Sequence, residues 1–514
     1  MPKQFQITVS PREAAIPDLL EKAVVLKAGC RADDVKKINI IRRSIDARKR
    51  GFVKLNLTVD VFLHGEETAQ SPYSFHFDNV RSCPEVLIAG AGPAGLFAAL
   101  RLIERGFRPV LIERGKEVGH RKRDIALLCR GEGLNPESNY CFGEGGAGTF
   151  SDGKLFTRSR KRGDIERVLQ LFHYHGAADD ILIDAHPHIG TDVLPAVIRN
   201  MRQTIIQCGG EFHFEQRLTD LIIRNGRVSG ITTASGDRFE GRAVILATGH
   251  SAVDIYEMFK RNAYLLEPKT FALGVRVEHP QELINRIQYH NSPEMKYLPA
   301  ATYTLSAQVD GRGVYSFCMC PGGYIVPSST MANGQVVNGM SSSRRHTPFA
   351  NSGIVVEIRP EDTLTFAGHG AVAGLQFQRH VEMLAAQNGG ENQIAPAQRI
   401  TDFVNARASA SLPNCSYLPG IVSSPLHAWL PAHVSKRLQE GFRIFDRKMK
   451  GFLTSESLIA GVESRSSTPV RIPRDATTMQ HPQLAGLYPC GEGSGYAGGI
   501  TSSAMDGENV AEMI

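Results

Sequence analysis

Three glycines and one acidic residue in the first quarter of the chain have the types and the spacing needed to hold a diphosphate and a ribose. Gly90, Gly92 and Gly95 form a GxGxxG pattern, and Glu113 follows roughly 20 residues later. Glycines at this spacing permit a tight turn, a close approach of backbone to a pyrophosphate, and close packing of a helix on a strand. The acidic side chain can accept hydrogen bonds from ribose hydroxyl groups. The chemistry indicated is the binding of a dinucleotide.

These residues need a βαβ unit to position them, and the surrounding sequence predicts one. The apolar run 86–89 predicts a buried parallel strand, a helical repeat of apolar residues follows, and Gly106 is placed to end that helix. A second apolar run, 110–112, puts Glu113 at the carboxyl end of the next strand. The helix N-terminus then offers free N–H groups to phosphates. Pro93, Ala94 and Arg114 complete the predicted ADP-binding residues.

Three later segments predict the rest of the dinucleotide site. The segment 141–155 is rich in glycine and serine, so backbone can lie close to a ligand. The segment 242–250 reads as a buried strand that ends in Ala-Thr-Gly, and the C-terminal segment reads as a strand, a glycine-rich turn and a helix that starts near Gly499. The predicted cofactor-binding residues in these segments are Gly145, Gly146, Ala147, Gly148, Ala247, Thr248, Gly249, Gly491, Glu492, Gly498, Gly499 and Ile500.

Together these segments resemble the FAD-binding set of the large two-dinucleotide flavoproteins, the glutathione-reductase-like class. The chain is more closely similar to a family of uncharacterised bacterial FAD-dependent dehydrogenases, through segments 44–49, 143–153, 316–328 and 491–507. The resemblance covers essentially the whole chain. It implies FAD as the cofactor, with Gly491 and Glu492 at the ribityl and flavin end and the last helix pointing its N-terminus at the flavin. It implies no substrate.

The predicted fold class is α/β: an FAD-binding Rossmann-like domain with an inserted α+β substrate domain, preceded by a small N-terminal α+β module. The expected boundaries are residues 1–82 for the N-terminal module, 83–260 and 471–514 for the two parts of the FAD-binding domain, and 261–470 for the insertion. The N-terminal module follows from a β-α-β-β pattern, and the insertion from strand-like runs mixed with one helical run.

The N-terminal module carries a basic cluster at Arg42, Arg43, Arg48, Lys49 and Arg50. One interpretation is a surface for RNA or another anionic partner. The other is a solvated strand edge that docks on the flavin domain through residues 44–48. The second is favoured because no aromatic residues alternate with these charges, and base stacking needs them. A nucleic-acid partner is therefore not expected.

No residue is a secure catalytic acid, base or nucleophile, and three are weak candidates. Cys318 and Cys320 are two residues apart, so on a strand they would face the same side and could act as a redox pair near flavin. The alternative is that both are small apolar core residues. His346 follows Arg344 and Arg345, either of which could bind a substrate carboxylate, although the segment also reads as a solvated loop.

Composition excludes several other classes of protein. The 514 residues contain no apolar run long enough to span a membrane and no leader pattern, so a cytoplasmic location is expected. Nine scattered cysteines without a CxxC pair predict neither a disulfide framework nor a metal site. Residues 368–374 have glycine spacing but read as a loop entering a helix, so a second Rossmann unit is not expected.

The function predicted from the sequence is an FAD-dependent oxidoreductase, or dehydrogenase, acting between an unknown small organic substrate and the flavin. An external electron donor or acceptor is needed, and NAD(P)H reacting without a second Rossmann site is one option. Two alternatives remain open: a flavin-dependent RNA-modifying protein, and a flavin-bound protein that binds a partner without turnover. The sequence predicts no oligomeric state.

Overall fold

The computed structural model describes residues 3–49, 51–66, 73–157 and 160–514. The N-terminal module is a three-stranded antiparallel sheet of order β1-β3-β2, covered by a helix whose one fully buried residue is Val24. Its elements are β1 Lys3–Val9, α1 Pro11–Ala15, α2 Pro17–Ala28, β2 Val35–Asp46 and β3 Lys54–Leu63.

The next part of the chain supplies most of a parallel sheet and the helices that pack on it. The strands are β4 Glu85–Ala89, β5 Arg108–Ile112, β6 Glu211–His213, β7 Leu218–Arg224, β8 Arg227–Thr233, β9 Arg238–Glu240 and β10 Val244–Leu246. The helices are α3 Pro93–Glu104, α4 Val118–Cys129, α5 Ile165–Tyr174, α6 Asp180–Ile183, α7 Leu194–Gln207 and α8 Val253–Arg261. Strands β7, β8 and β9 form a separate antiparallel sheet.

The segment that follows forms a large, mainly antiparallel sheet. Its strands are β11 Glu267–Pro268, β12 Phe271–Pro280, β13 Ser306–Val309, β14 Arg312–Cys320, β15 Gly323–Pro327, β16 Val337–Ser341, β17 Phe349–Ile358, β18 Ala395–Arg399, β19 Ile421–Ser423, β20 Leu458–Glu463 and β21 Val470–Arg471. Its helices are α9 Gln281–Gln288, α10 Ala373–Asn388, α11 Ile400–Val404, α12 Leu426–Trp429 and α13 Ala432–Lys448. Seven of these strands form the large sheet, in the order β13-β14-β17-β12-β20-β18-β19, whereas β15 pairs with β16, and β11 with β21, in separate two-stranded sheets.

The chain then returns to the parallel sheet. The last elements are β22 Leu487–Pro489 and α14 Ile500–Ala511. The completed sheet has the order β22-β10-β4-β5-β6, with every neighbouring pair parallel. Strands β11 and β21 pair with each other, so the two ends of the intervening segment lie side by side. A segment whose ends meet in this way can be inserted into a domain without disturbing its sheet.

The hydrophobic cores follow the same division. One cluster lies between the parallel sheet and helices α3, α7 and α14, and another lies between the antiparallel sheet and helix α13. Strands β4 and β5 are buried almost end to end, as expected for parallel strands with both faces covered. The fold prediction is confirmed: the molecule is a mixed α/β protein in which an FAD-binding type of parallel sheet carries an additional domain.

The N-terminal module contacts both of the other parts. Arg43 of β2 pairs with Asp184 at 2.7 Å and with Asp180 at 3.0 Å, and the carbonyl oxygen of Ala47 lies 2.9 Å from the His290 ring. Arg43 thus docks this edge on the flavin domain, whereas Ala47, within the expected docking segment 44–48, contacts the inserted domain. Arg50 of the basic cluster lies outside the described residues. None of the described helices is both long enough and apolar enough to cross a bilayer.

Candidate cofactor-binding site

A cavity of about 370 Å³ opens at the carboxyl ends of strands β4, β5, β10 and β22. In open parallel sheets, ligands bind at this edge because the loops and helix N-termini converge there. All of the predicted cofactor-binding residues except Gly95 and Gly145 line this one cavity. The structure therefore brings together segments that are up to 400 residues apart in the chain.

Gly95 and Gly145 do not line the cavity; Gly95 has the helix-packing role expected of the third glycine, whereas Gly145 was expected nearer to the ligand. A Cβ atom on Gly95 would lie 2.0 Å from the carbonyl oxygen of Gly90, so Gly95 allows helix α3 to approach strand β4. The N–H of Gly145 donates to the carbonyl oxygen of Ala91 at 2.7 Å. Both glycines thus position the backbone that forms the cavity wall.

The carboxylate of Glu113 organises the part of the site nearest to it. Its two oxygens accept hydrogen bonds from the backbone N–H groups of Ala91, Gly115 and Gly143, at 2.9, 2.9 and 3.0 Å. Arg114 is held nearby, with its guanidinium 3.8 Å from the centre of the Phe142 ring and paired with Asp254. Glu113 therefore joins the first glycine turn to the 143–148 loop, and residues of both segments line the cavity.

Several glycines at the cavity have no structural reason to lack a side chain. A Cβ atom on Gly92 would find its nearest neighbour at 3.7 Å, and Cβ atoms on Gly498 or Gly499 would find none within 4 Å. None of the three has a backbone φ in the left-handed region. Their missing side chains leave free space beside the N-termini of α3 and α14, where partial positive charge and unpaired N–H groups favour an anionic ligand. The residues present therefore fit a dinucleotide.

One buried cation at the cavity wall has no partner for part of its guanidinium among the described residues. Arg465 binds Glu382 through Nε at 3.0 Å and Nη2 at 2.9 Å, and its side chain is 6% exposed. Its Nη1 has no hydrogen-bond partner among the described residues, although Arg465 lines the cavity. A buried unpaired N–H donor is costly, so this wall is suited to a ligand oxygen. Arg465 is not among the site residues predicted from the sequence. The one feature of the sequence that points to it is its position just after the buried strand β20.

The far end of the cavity is closed by the inserted domain. Phe317, Cys318 and Asn338 from that domain line the same cavity as the 143–154 loop and the start of α14. His250 also lines it, with Nδ1 3.6 Å from a carboxylate oxygen of Glu492. An elongated ligand with one end at Glu113 would therefore reach residues of the inserted domain with its other end.

Lys154 is the second cavity residue that the sequence analysis missed. It is the only cation in the segment 141–155, and that was the available signal. Its Nζ lies 2.9 Å from Asp152, which is buried and also binds Arg345 through two nitrogens. Burial opposes the charge of Lys154, but the Asp152 carboxylate together with the sulfur atoms of Cys318 and Cys320 raises the lysine pKa.

Two expectations about polar residues near this end are corrected. Arg345 does not present a free fork to a substrate, because its Nε and Nη2 bind Asp152 at 3.1 and 2.6 Å. Arg344 and His346 are exposed, and neither lines the cavity. His346 Nδ1 instead lies 3.5 Å from the Ser342 hydroxyl, so it is placed as a surface turn residue.

The two candidate cysteines lie at the cavity wall, but not on a regular strand. Cys318 lines the cavity and Cys320 is fully buried. Strand β14 loses its regular pairing with β17 between Phe317 and Cys320, and Cys318 has a φ of 46°. The strand is therefore not regular here, but both sulfur atoms do lie on one side, within 4 Å of the Lys154 ammonium.

The remaining glycine pattern does not form a nucleotide site. Residues 368–374 belong to a 3-10 helix, Pro360–Val372, and the start of α10, and the pattern does not follow a β-strand directly. Within the described ranges, no group of three or more His, Cys, Asp or Glu side chains is arranged to hold a metal ion.

Similarity to known proteins agrees with this site. Residues 84–146 match the family model of an FAD binding domain, residues 270–466 match that of an FAD-dependent protein, C-terminal domain-like, and residues 1–62 match a domain of unknown function. An uncharacterised protein from Clostridium beijerinckii is 40% identical over 515 residues, covering 97% of this chain and 96% of that protein. FAD is thus the cofactor of this flavoprotein.

Two solved structures align with this chain at low scores. The flavin-dependent brominase Bmp2 aligns at 14% identity and a TM-score of 0.36, covering 84% of this chain and 78% of that chain. Glycine oxidase from Bacillus cereus aligns at 11% identity and a TM-score of 0.29, covering 84% and 94%. Scores this low do not identify a reaction. The full-length relative and the matched domains do identify the family: this chain belongs to a family of uncharacterised FAD-dependent proteins.

Proposed function

We propose that this protein is an FAD-dependent oxidoreductase, a dehydrogenase that transfers a hydride or an electron pair between a small organic substrate and its flavin. The observation that carries the proposal is the composition of the cavity, which is lined both by the predicted dinucleotide-binding residues and by residues of the inserted domain. The bound FAD supplies the two-electron chemistry, and the protein supplies binding, orientation and electrostatic tuning.

The chain's own residues have separate roles in this proposal. Gly90, Gly92 and the N-terminus of α3 would hold the pyrophosphate, while Glu113 would accept a hydrogen bond from the adenosine ribose. At the other end, the N-terminus of α14 would stabilise negative charge on the reduced flavin. Phe317 and Asn338 of the inserted domain would exclude water from the reacting face and hold the substrate against it.

Arg465 supports a ligand oxygen at the wall between these ends. Its Nη1 is a buried donor that lacks a hydrogen-bond partner among the described residues, and Arg465 lines the cavity. A phosphate or carboxylate oxygen would satisfy it with a charge-assisted hydrogen bond. We assign this donor to an anionic group of the cofactor or of the substrate.

The proposal needs an external electron donor or acceptor. NAD(P)H is one candidate, and it would have to react at the flavin directly, because the 368–374 segment is not arranged as a second Rossmann unit.

We also propose that the protein belongs to the glutathione-reductase-like class and that it is cytoplasmic. The free state of all nine cysteines agrees with a reducing compartment. The ion pairs of Arg43 favour docking of the N-terminal module over RNA binding.

An anaerobic reduction experiment tests the proposal. Purified FAD-loaded protein is mixed with NADH, NADPH and a panel of amino acids and 2-hydroxy acids, and the visible flavin band is followed. The expected result is bleaching by at least one donor and reoxidation by an organic acceptor at a rate that exceeds that of free FAD. If photoreduced protein is reoxidised only by oxygen across the whole panel, the binding protein without turnover is the better account.

A further inference from the structure

Two cysteines of the inserted domain and one lysine of the FAD-binding domain meet at the cavity wall. The Nζ atom of Lys154 lies 3.8 Å from Sγ of Cys318 and 3.6 Å from Sγ of Cys320. Cys318 lines the cavity, whereas Cys320 is 0% exposed and lies behind it. The pair thus has one thiol that a cavity ligand can reach and one that only its neighbour can reach.

The local backbone at Cys318 departs from that of a regular strand. Residues two apart on an ideal strand have Cα atoms about 6.6 Å apart, near the upper limit for a disulfide. At Cys318 the pairing of β14 with β17 is interrupted and φ is 46°, a conformation that non-glycine residues rarely adopt. Backbone outliers of this kind persist where the surrounding structure holds them, and they concentrate at functional sites.

The charges around the pair favour a thiolate. Arg276 is fully buried, and its Nη2 donates to the carbonyl oxygen of Cys318 at 2.7 Å and lies 3.6 Å from Sγ of Cys320. A hydrogen bond from the Cys320 thiol lowers the pKa of Cys318 first of all, and the nearby Lys154 and Arg276 cations lower it further against the effect of burial. Of the two thiols, Cys318 is therefore the one that its surroundings favour as a thiolate, while the pKa of Cys320 is raised.

We propose that Cys318 and Cys320 form a redox-active dithiol–disulfide pair that exchanges two electrons with the FAD. This proposal rests on the proposed function only in requiring the flavin end of FAD to lie at the inserted-domain end of the cavity. In the reductive direction the anionic reduced flavin, FADH⁻, gives up two electrons and its N–H proton. The S–S bond breaks, the proton goes to Cys320, and Cys318 leaves as the thiolate beside Lys154. Oxidised FAD is regenerated, and one proton and one negative charge are conserved.

The pair can be observed directly by mass spectrometry of the FAD-loaded protein. Trypsin releases residues 313–344 as one peptide that contains both cysteines and no internal Lys or Arg. After air oxidation and acid quenching, this peptide should be two hydrogens lighter and should resist alkylation. After anaerobic photoreduction of the flavin, the same peptide should take up two alkyl groups. The FAD-free protein under the same light should keep the disulfide.

A reductive titration gives an independent count of electrons. Oxidised FAD-loaded protein should take up four electrons per flavin from dithionite, whereas Cys318→Ser and Cys320→Ser proteins should take up two. Cys30→Ser is the matched control, because Cys30 lies in the N-terminal module, and it should take up four. Absence of the light peptide in wild-type protein, or its persistence after flavin reduction, overturns the proposal even if a variant fails to fold.

The role of Lys154 as a positioning residue has its own readout. The titratable and charged groups around Cys318 include Cys320, Lys154, Arg276, Asp152 and Glu463. Replacing Lys154 by Met removes one cation, so the pH midpoint for alkylation of Cys318 should rise, and Lys154→Arg should restore it. An unchanged midpoint would contradict the role given to Lys154. If the protein binds FAD and turns over while the 313–344 peptide never changes, the dithiol proposal alone fails; if no FAD binds, both proposals fail.

Discussion

The Glu113 carboxylate accepts a hydrogen bond from the backbone N–H of Ala91, with 2.9 Å between Oε2 and the nitrogen. Its other oxygen accepts from Gly115 and Gly143, so one buried side chain fixes three backbone segments around the cavity. A carboxylate has about four acceptor positions, and three are used. The fourth is available to a ribose hydroxyl group, so Glu113 both builds the site and is able to bind within it.

Replacing Glu113 by Gln should weaken FAD binding by about 10- to 100-fold. The amide keeps the size of the side chain but replaces an acceptor oxygen with a donor, and hydrogen bonds to a charged group contribute about 1.5–3 kcal/mol. The measurement is a titration of the FAD-free protein with FAD, followed by flavin fluorescence. Glu240→Gln, at an exposed pair with Arg224, is the control and should bind as wild type does. If wild type and both variants bind FAD with equal affinity, Glu113 does not bind the cofactor.

Replacing Gly92 by Ala should weaken FAD binding and leave the fold intact, whereas replacing Gly95 by Ala should destabilise the fold. The Cβ atom at Gly92 enters the cavity with no protein atom closer than 3.7 Å, so unfolding of the FAD-free protein should change by no more than about 1 kcal/mol while FAD affinity falls. The Cβ atom at Gly95 would lie 2.0 Å from the Gly90 carbonyl oxygen, so the fold itself should lose about 2–3 kcal/mol. Urea unfolding and FAD titration of both proteins check this contrast. Loss of stability at Gly92 without loss of FAD binding would contradict the placement of the ligand.

The buried carboxyl of Glu144 should make stability depend on pH. Burial raises its pKa from 4.5 to about 7, although Arg202 opposes the shift. At pH values between 4.5 and about 7, Glu144 loses its proton in the unfolded chain but keeps it in the folded chain. The contribution of Glu144 to stability therefore falls as the pH rises through this interval. Glu144→Gln does not titrate. Its stability relative to wild type should therefore rise by up to about 3 kcal/mol between pH 5 and pH 8. If the difference in unfolding free energy between the variant and wild type, measured in urea, is constant across that range, the raised pKa of Glu144 is contradicted.

Much of the FAD-binding sheet could be predicted because its signals are local. The glycine turn, helix α3 and strand β5 follow one another within about 30 residues, and periodicity with glycine spacing is enough to identify them. The Ala247–Gly249 and Gly491–Glu492 turns were found by the same local chemistry. Their meeting at one cavity then follows from the rule that ligands bind at the carboxyl ends of parallel strands.

The inserted-domain end could not be predicted, because its contacts join residues far apart in sequence. Lys154 and Cys318 are 164 residues apart. The irregular pairing in β14 between Phe317 and Cys320 contains no glycine or proline from which it could have been predicted. Arg345 looked like a free substrate-binding residue because its partner, Asp152, is contributed by a distant loop. Only the folded structure shows which charges are already neutralised.

The most direct test of the account is a crystal structure of the FAD-loaded protein. The account predicts one FAD per chain, with the adenosine ribose within hydrogen-bond distance of Glu113, the pyrophosphate at the N-terminus of α3, and the isoalloxazine between the N-terminus of α14 and Cys318. Flavin bound elsewhere, or bound here with its ring at Glu113 and its adenine at Cys318, would contradict it.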